Sequence, residues 1–187
     1  MARLLTKLIF LSSLLIHSDE STTKEIVILH TNDIESVYEP IQAVWRDDIE
    51  LIGGISHLAS LIDNVRASEK ISFLVDAGDI YTGALSKKTR GKLPFDLYNA
   101  IGYDALNIGN HEFEYNWEPL VDIIPRANFP VLNANIFIEK TGELIAQPFT
   151  ILEKSGVKIG VIGVMGIDAF YNTMAPFHRT GLSIKDP

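Results

Sequence analysis

Tyr103-Asp104-Ala105-Leu106-Asn107-Ile108-Gly109-Asn110-His111-Glu112-Phe113-Glu114 is an apolar run that breaks at glycine into an amide, an imidazole and two acids. The apolar half reads as a strand, and Gly109 ends it. Asn110 and His111 then present two side chains of different chemistry at one strand edge. The Asn amide oxygen is a neutral hard ligand, and an imidazole binds metal or transfers a proton near neutral pH. Loops at strand ends are where α/β folds carry their chemistry. On its own Asn-His is a common dipeptide, so its reading depends on what precedes it.

Two earlier strands end in the same manner. Glu25 to Leu29 is a buried-type strand running into His30-Thr31-Asn32-Asp33, and Ile71 to Val75 runs into Asp76-Ala77-Gly78-Asp79. Between them, residues 39–50 read as an irregular excursion. Gly53-Gly54 then opens a helix with Ile55, Leu58, Ala59, Ile62 and Val65 on one face. Thr82 to Lys92 reads as a polar loop turning at Gly83 and Gly91, and Pro94 opens a helix through Leu97, Tyr98 and Ile101. Past the Asn-His block the pattern predicts a helix from Trp117 to Ala127 that Pro125 ends or kinks, and a strand from Val131 to Ile136. Phe149–Glu153 and Val157–Val164, joined at Lys154-Ser155-Gly156, form a hairpin. Strands alternating with helices predict an α/β fold with a mixed sheet.

Composition narrows the function. A chain of 187 residues with 47% hydrophobic content supports one domain with a sizeable core. The net charge of −8, with 16 Lys and Arg, offers no broad basic surface to a nucleic acid duplex. There is no cysteine, which removes thiolate nucleophiles and Cys-based metal sites. Arg3 and Lys7 precede the apolar run Leu8 to Ile16, too short to span a bilayer, so residues 1–18 read as a secretory signal and the location as periplasmic or secreted. No other stretch is long and apolar enough to cross a membrane.

Asp33-Ile34-Glu35, Gly78-Asp79 and Asn110-His111 thus stand at three successive strand ends. Asp33 and Glu35 are alternate residues and would point to one side of an extended segment. Each acid has a plainer reading: Asp33 and Asp79 as turn residues, Glu35 as a solvated side chain. Brought together, the carboxylates would repel unless a cation lay between them. Oxygen donors with imidazole suit manganese, iron, zinc or a similar divalent ion.

His30-Thr31-Asn32-Asp33-Ile34, Asp76-Ala77-Gly78-Asp79 and Gly109-Asn110-His111-Glu112-Phe113 resemble the blocks of the calcineurin-like metallophosphoesterases, and within them the 5′-nucleotidase and 2′,3′-cyclic-nucleotide phosphodiesterase branch. Gly53-Gly54-Ile55 and Asn133-Ala134-Asn135-Ile136 match that branch too. The resemblance covers residues 24–187 and implies the amino-terminal part of a four-layer αββα sandwich, incomplete in this chain. It implies two divalent metal ions, with Asp33 on the first, Asp79 bridging both and Asn110 on the second. His111 would lie by the leaving group without binding metal. The implied reaction is hydrolysis of a small phosphate ester, most like a nucleotide, by a metal-activated water.

Two positions depart from the family pattern. Glu35 stands where the family has a metal-binding His, and it remains a metal-ligand candidate as a harder donor. Glu114 stands where the family has an Asp that supports the catalytic histidine, and one extra methylene leaves it able to orient His111. The family draws further histidine ligands from later blocks, whereas this chain has His17, His30, His57, His111 and His178. None of the remaining four matches such a position, so weak metal binding and little turnover are expected of the 187 residues. Tyr81, Phe113, Tyr115 and Trp117 read as core or loop anchors before cleft residues. Two rival readings stay open: the related thiosulfohydrolase, and a non-catalytic binding module. Oligomeric state is not legible.

Overall fold

The computed structural model describes residues 23–187, so the leader read at residues 1–18 lies outside the described residues. Along the chain run β1 (Val27–Thr31), β2 (Ile41–Gln42), β3 (Leu51–Ile52), α1 (Ile55–Ser68), β4 (Ser72–Asp76), α2 (Gly83–Thr89), α3 (Lys92–Ile101) and β5 (Ala105–Asn107). There follow α4 (Trp117–Ile123), β6 (Val131–Leu132), β7 (Ile136–Ile138), β8 (Phe149–Lys154), β9 (Val157–Ile162) and β10 (Leu182–Ile184).

β1, β4, β5 and β6 lie side by side in that order, every pair parallel. Helical crossovers separate each from the next, as parallel pairing requires. Thr31 is opposite Asp76, Asp76 opposite Leu106, and Leu106 opposite Val131. The carboxyl ends of the strands therefore share one edge, and the loops bearing Asp33, Asp79 and Asn110 all leave from it. The three strand ends singled out in the sequence thus lie along one edge of one sheet.

Helices cover one face of this sheet. Ile62 of α1, Phe95 and Tyr98 of α3 and Leu120 of α4 share a core with Leu74 and Leu106. β8 and β9 cover part of the other face. Lys154 at the end of β8 donates to the Ser72 carbonyl at 2.9 Å and to Asp104 at 2.6 Å, and its ammonium lies 5.2 Å from the Phe73 ring centre. The opposite face of the hairpin carries Phe149, Ile151 and Ile162, exposed at 56%, 62% and 69%. The helical layer that would cover them in a four-layer sandwich has no counterpart among the described residues. The antiparallel strands also form two-stranded sheets of their own, β8 with β9, β7 with β10 and β2 with β3, rather than joining the parallel sheet.

Several local expectations change. The polar stretch Thr82–Lys92 is not a loop: α2 occupies Gly83–Thr89. Its sequence lacks an apolar stripe, and only Ser86 is buried, so helical periodicity left no mark there. α3 starts at Lys92, with Pro94 in a first turn whose N–H groups need no helical partner. α4 stops at Ile123 and tightens into a short turn at Ile124–Arg126, where Pro125 cannot continue the ladder. The strand expected at Val131–Ile136 breaks because Asn133 Oδ1 accepts the N–H groups of Asn135 at 3.2 Å and Ile136 at 2.8 Å. The excursion at residues 39–50 is partly ordered, with Ile41 paired to Ile52. The hairpin forms as read, Phe149 opposite Ile162, turning at Ser155 and Gly156.

Asp76 ties the helical layer to the site edge. It is 3% exposed and accepts hydrogen bonds from the Thr31 hydroxyl, from Tyr98 Oη at 2.8 Å and from the Gly78 N–H at 2.7 Å. Burial pushes its carboxyl up to about 6, against the pull of those three donors. A raised folded-state pKa means the native protein holds this proton longer than the unfolded chain. The contribution of Asp76 to stability is therefore greatest below about pH 4 and falls as pH rises through about 6. Asp76→Asn is expected to remove that part of the pH slope, up to about 3 kcal/mol between the two limits. Urea unfolding of both proteins between those pH values reads the difference, and identical slopes would refute it.

Candidate active site

The loop after β1 is laid along the loop after β4 by backbone hydrogen bonds. Ala77 N–H donates to the Thr31 carbonyl at 2.9 Å, Asp33 N–H to that of Gly78 at 3.0 Å, and Glu35 N–H to that of Asp79 at 3.0 Å. Asp33, Glu35, Ser36 and Asp79 all take positive φ, between 45° and 65°. Such backbone is uncommon outside glycine and clusters at functional sites. The third loop approaches as closely: a Cβ on Gly78 would sit 2.8 Å from Gly109 Cα, so only glycine lets the two backbones meet.

Glu112 locks these loops together. Its carboxylate is fully buried and accepts four backbone N–H groups: Asp79 at 2.9 Å, Ile80 at 2.7 Å, Tyr81 at 3.0 Å and Gly109 at 2.6 Å. Burial pushes its pKa up to about 7, opposed by the donors. Four donors and no other acceptor define a carboxylate's place. The sequence did not single out Glu112. It showed an acid within an acidic run, and only the tertiary fold turns that acid inward.

Asp79, held in this way, accepts the backbone N–H of His111 on Oδ1 at 2.8 Å. Burial raises its pKa; the His111 N–H and ring lower it, and the neighbouring Asp33 carboxyl raises it further. Asp33 and Asp79 thus face each other with like charge, an arrangement that a cation between them would relieve. Asn110 is half-buried and next in line after Gly109. Among the described residues no three His, Asp or Glu side chains converge as a ligand cluster. The donors seen together are the two carboxylates of Asp33 and Asp79, with Asn110 following Gly109 on the adjoining loop. These fit a divalent ion in chemical type and supply only part of the roughly four to six ligands one takes.

His111 lies between two acids. Nδ1 is 2.7 Å from Glu114 Oε1, and Glu114 Oε2 in turn accepts from the Thr82 hydroxyl at 2.6 Å. Nε2 is 3.4 Å from Glu35 Oε1. Burial lowers the imidazole pKa, but the Glu114 hydrogen bond and the charges of Asp79, Glu114 and Glu35 raise it above its ordinary value on balance. Glu114 is thus placed to orient the ring, and it is steadied by a Thr82 contact that left no mark in the sequence. Glu35, a metal-ligand candidate by its place in the first block, turns to His111.

Other candidates fall outside. His57 Nδ1 bonds the Gly53 carbonyl at 2.7 Å on the exposed side of α1. Tyr81 and Phe113 are core residues, Tyr115 packs edge-on to Tyr81 at 5.3 Å, and Trp117 Nε1 anchors the Thr180 carbonyl at 3.1 Å. An open cleft of about 460 Å³ beside Asp33 is lined by Ile34, Val37, Ile55, His57 and Leu58. Among the described residues no helix is long and apolar enough to cross a membrane.

Known proteins resemble this chain in sequence and in fold. A 5′-nucleotidase of Vibrio cholerae is 34% identical over 170 residues, which cover 88% of this chain and 29% of that protein. A 5′-nucleotidase of Bos taurus is 34% identical over 150 residues, covering 74% of this chain and 26% of its own length. The crystal structure of a 5′-nucleotidase precursor from Thermus thermophilus superposes with a TM-score of 0.74 at 27% identity, covering 86% of this chain and 32% of that one. The chain thus spans less than a third of the length of these relatives. The family model for calcineurin-like phosphoesterases matches residues 26–170. With its parallel sheet and this match over most of its length, the chain belongs to the calcineurin-like phosphoesterase family.

Proposed function

We propose that the site hydrolyses a phosphate ester with two divalent metal ions, and that the ester is a nucleotide. Asp33, Asp79 and Asn110 would hold the metal. Bound there, divalent ions activate a water and neutralise phosphate oxygens. The protein's own groups do the rest. Glu112 fixes the Asp79 and Gly109 backbones, Glu114 holds His111 by Nδ1, and the other ring nitrogen, Nε2, would stabilise or protonate the departing oxygen. The observation that carries this reading is the Asp33–Asp79 carboxylate pair packed against the His111 backbone. The 5′-nucleotidase likeness of the relatives supports the nucleotide as substrate class. The charged start and apolar run at residues 3–16 support export to a periplasmic or extracellular space.

The metal reading is tested by titrating the protein with Mn²⁺ in a calorimeter. Asp33→Ala and Asp79→Ala are each expected to weaken binding at least about tenfold. Binding of equal strength in all three proteins would overturn the assignment. Phosphate released from AMP on addition of Mn²⁺ then tests the substrate class.

A further inference from the structure

Glu35 occupies the metal-ligand register of the first loop, yet its carboxylate is used elsewhere. Its backbone N–H is fixed to the Asp79 carbonyl at 3.0 Å, and its φ is 45°. From there Oε1 reaches His111 Nε2 at 3.4 Å, while Glu114 takes Nδ1 at 2.7 Å on the other edge of the ring. No ligand cluster forms with Asp33 and Asp79 among the described residues.

We propose that Glu35 is a positioning and gating residue of His111 rather than a metal ligand: it covers the Nε2 edge when no substrate is bound and withdraws when a phosphate arrives. The inference rests on the metallophosphoesterase reading of the site. The two contacts are unequal in a way that suits a gate. Glu114 is at hydrogen-bond distance and further held by Thr82, so it is the fixed support. Glu35 is at ion-pair distance, its side chain is 43% exposed, and no hydrogen bond holds its carboxylate among the described residues. Nε2 is the only ring nitrogen left for a leaving oxygen, so whatever covers it competes with substrate. A carboxylate there also repels a phosphate dianion. Glu35 would therefore act as a filter, favouring esters whose other contacts are strong enough to displace it.

A gate and a metal ligand respond to mutation with opposite sign. Glu35→Gln keeps the length and removes the charge, and Glu35→Asn also withdraws the reach while tolerating positive φ. With Mn²⁺ saturating, inorganic phosphate is expected to bind either variant about three- to tenfold more tightly, because a nearby like charge is gone. Mn²⁺ affinity itself is expected to stay within about threefold, against the tenfold or greater loss in Asp33→Ala. In metal-free protein at fixed pH, the ring nitrogen signals of His111 should move in both variants. Weaker phosphate binding together with a loss of Mn²⁺ affinity as large as that of Asp33→Ala would show Glu35 to be a ligand and overturn the gate. Unmoved His111 signals would also overturn it. If Asp33→Ala itself left Mn²⁺ binding intact, the metal centre would fail, and the His111 signals would still decide the Glu35 contact.

Discussion

Glu112→Ala is expected to destabilise the protein by about 4 kcal/mol or more, the largest stability effect of any single change at the site. The residue is fully buried, so its role is to hold the loops together. Its loss would leave the N–H groups of Asp79, Ile80, Tyr81 and Gly109 facing an empty space. A buried donor left without an acceptor costs about 1–3 kcal/mol, and a water entering the gap can serve some of these donors but not all. Against a total stability of about 5–15 kcal/mol, such a loss approaches unfolding at room temperature. Glu112→Gln should cost less, since one oxygen remains while the new amide NH₂ meets N–H groups instead of acceptors. Urea denaturation gives the ranking: wild type, then Gln, then Ala. Mn²⁺ binding should fall in the same order, because Asp79 and Asn110 stand on the loops that Glu112 joins. A Glu112→Ala protein within about 1 kcal/mol of wild type would mean the four hydrogen bonds are replaceable.

Glu112 also marks how far the sequence could be read. The strands and their terminal acids were legible, because apolar runs ending in Gly, Asp and Asn leave a local signature. Asp33, Asp79, Asn110 and His111 stand along one edge, since parallel strands bring their carboxyl ends together. Glu114 meets the imidazole ring at hydrogen-bond distance. What stayed hidden was decided by tertiary placement. Glu112 and Glu114 are two residues apart and alike in sequence, yet one is fully buried under four N–H groups and the other holds an imidazole. Helix α2 left no periodic mark because it buries little beyond Ser86. Asn133 and Asn135 read as strand residues, and instead their amides break the strand. Asn135 uses its own amide to join the chain at Met165 and Lys185. Polar side chains that replace backbone partners cannot be recognised until the backbone is in place.

His111→Ala is expected to lower kcat for phosphate release by about a hundred- to ten-thousandfold in any form of the protein that turns over AMP, the range for a positioned acid or base. The geometry makes this a chemical effect and not a structural one. The side chain is 33% exposed, and the backbone N–H that binds Asp79 survives in alanine. Stability should therefore change by less than about 1 kcal/mol. Mn²⁺ affinity should be nearly unchanged, because the imidazole lies beside the Asp33–Asp79 pair and its nitrogens face Glu114 and Glu35. KM should move little, since the histidine acts on charge that develops as the ester bond breaks. A leaving-group series separates the roles: nitrophenyl phosphate, whose nitrophenolate departs without a proton, should lose far less rate than AMP if His111 protonates the alkoxide. Equal losses on both would assign His111 to stabilising the transferring phosphate instead. Retention of more than about a tenth of the wild-type kcat on AMP would remove it from the chemistry altogether.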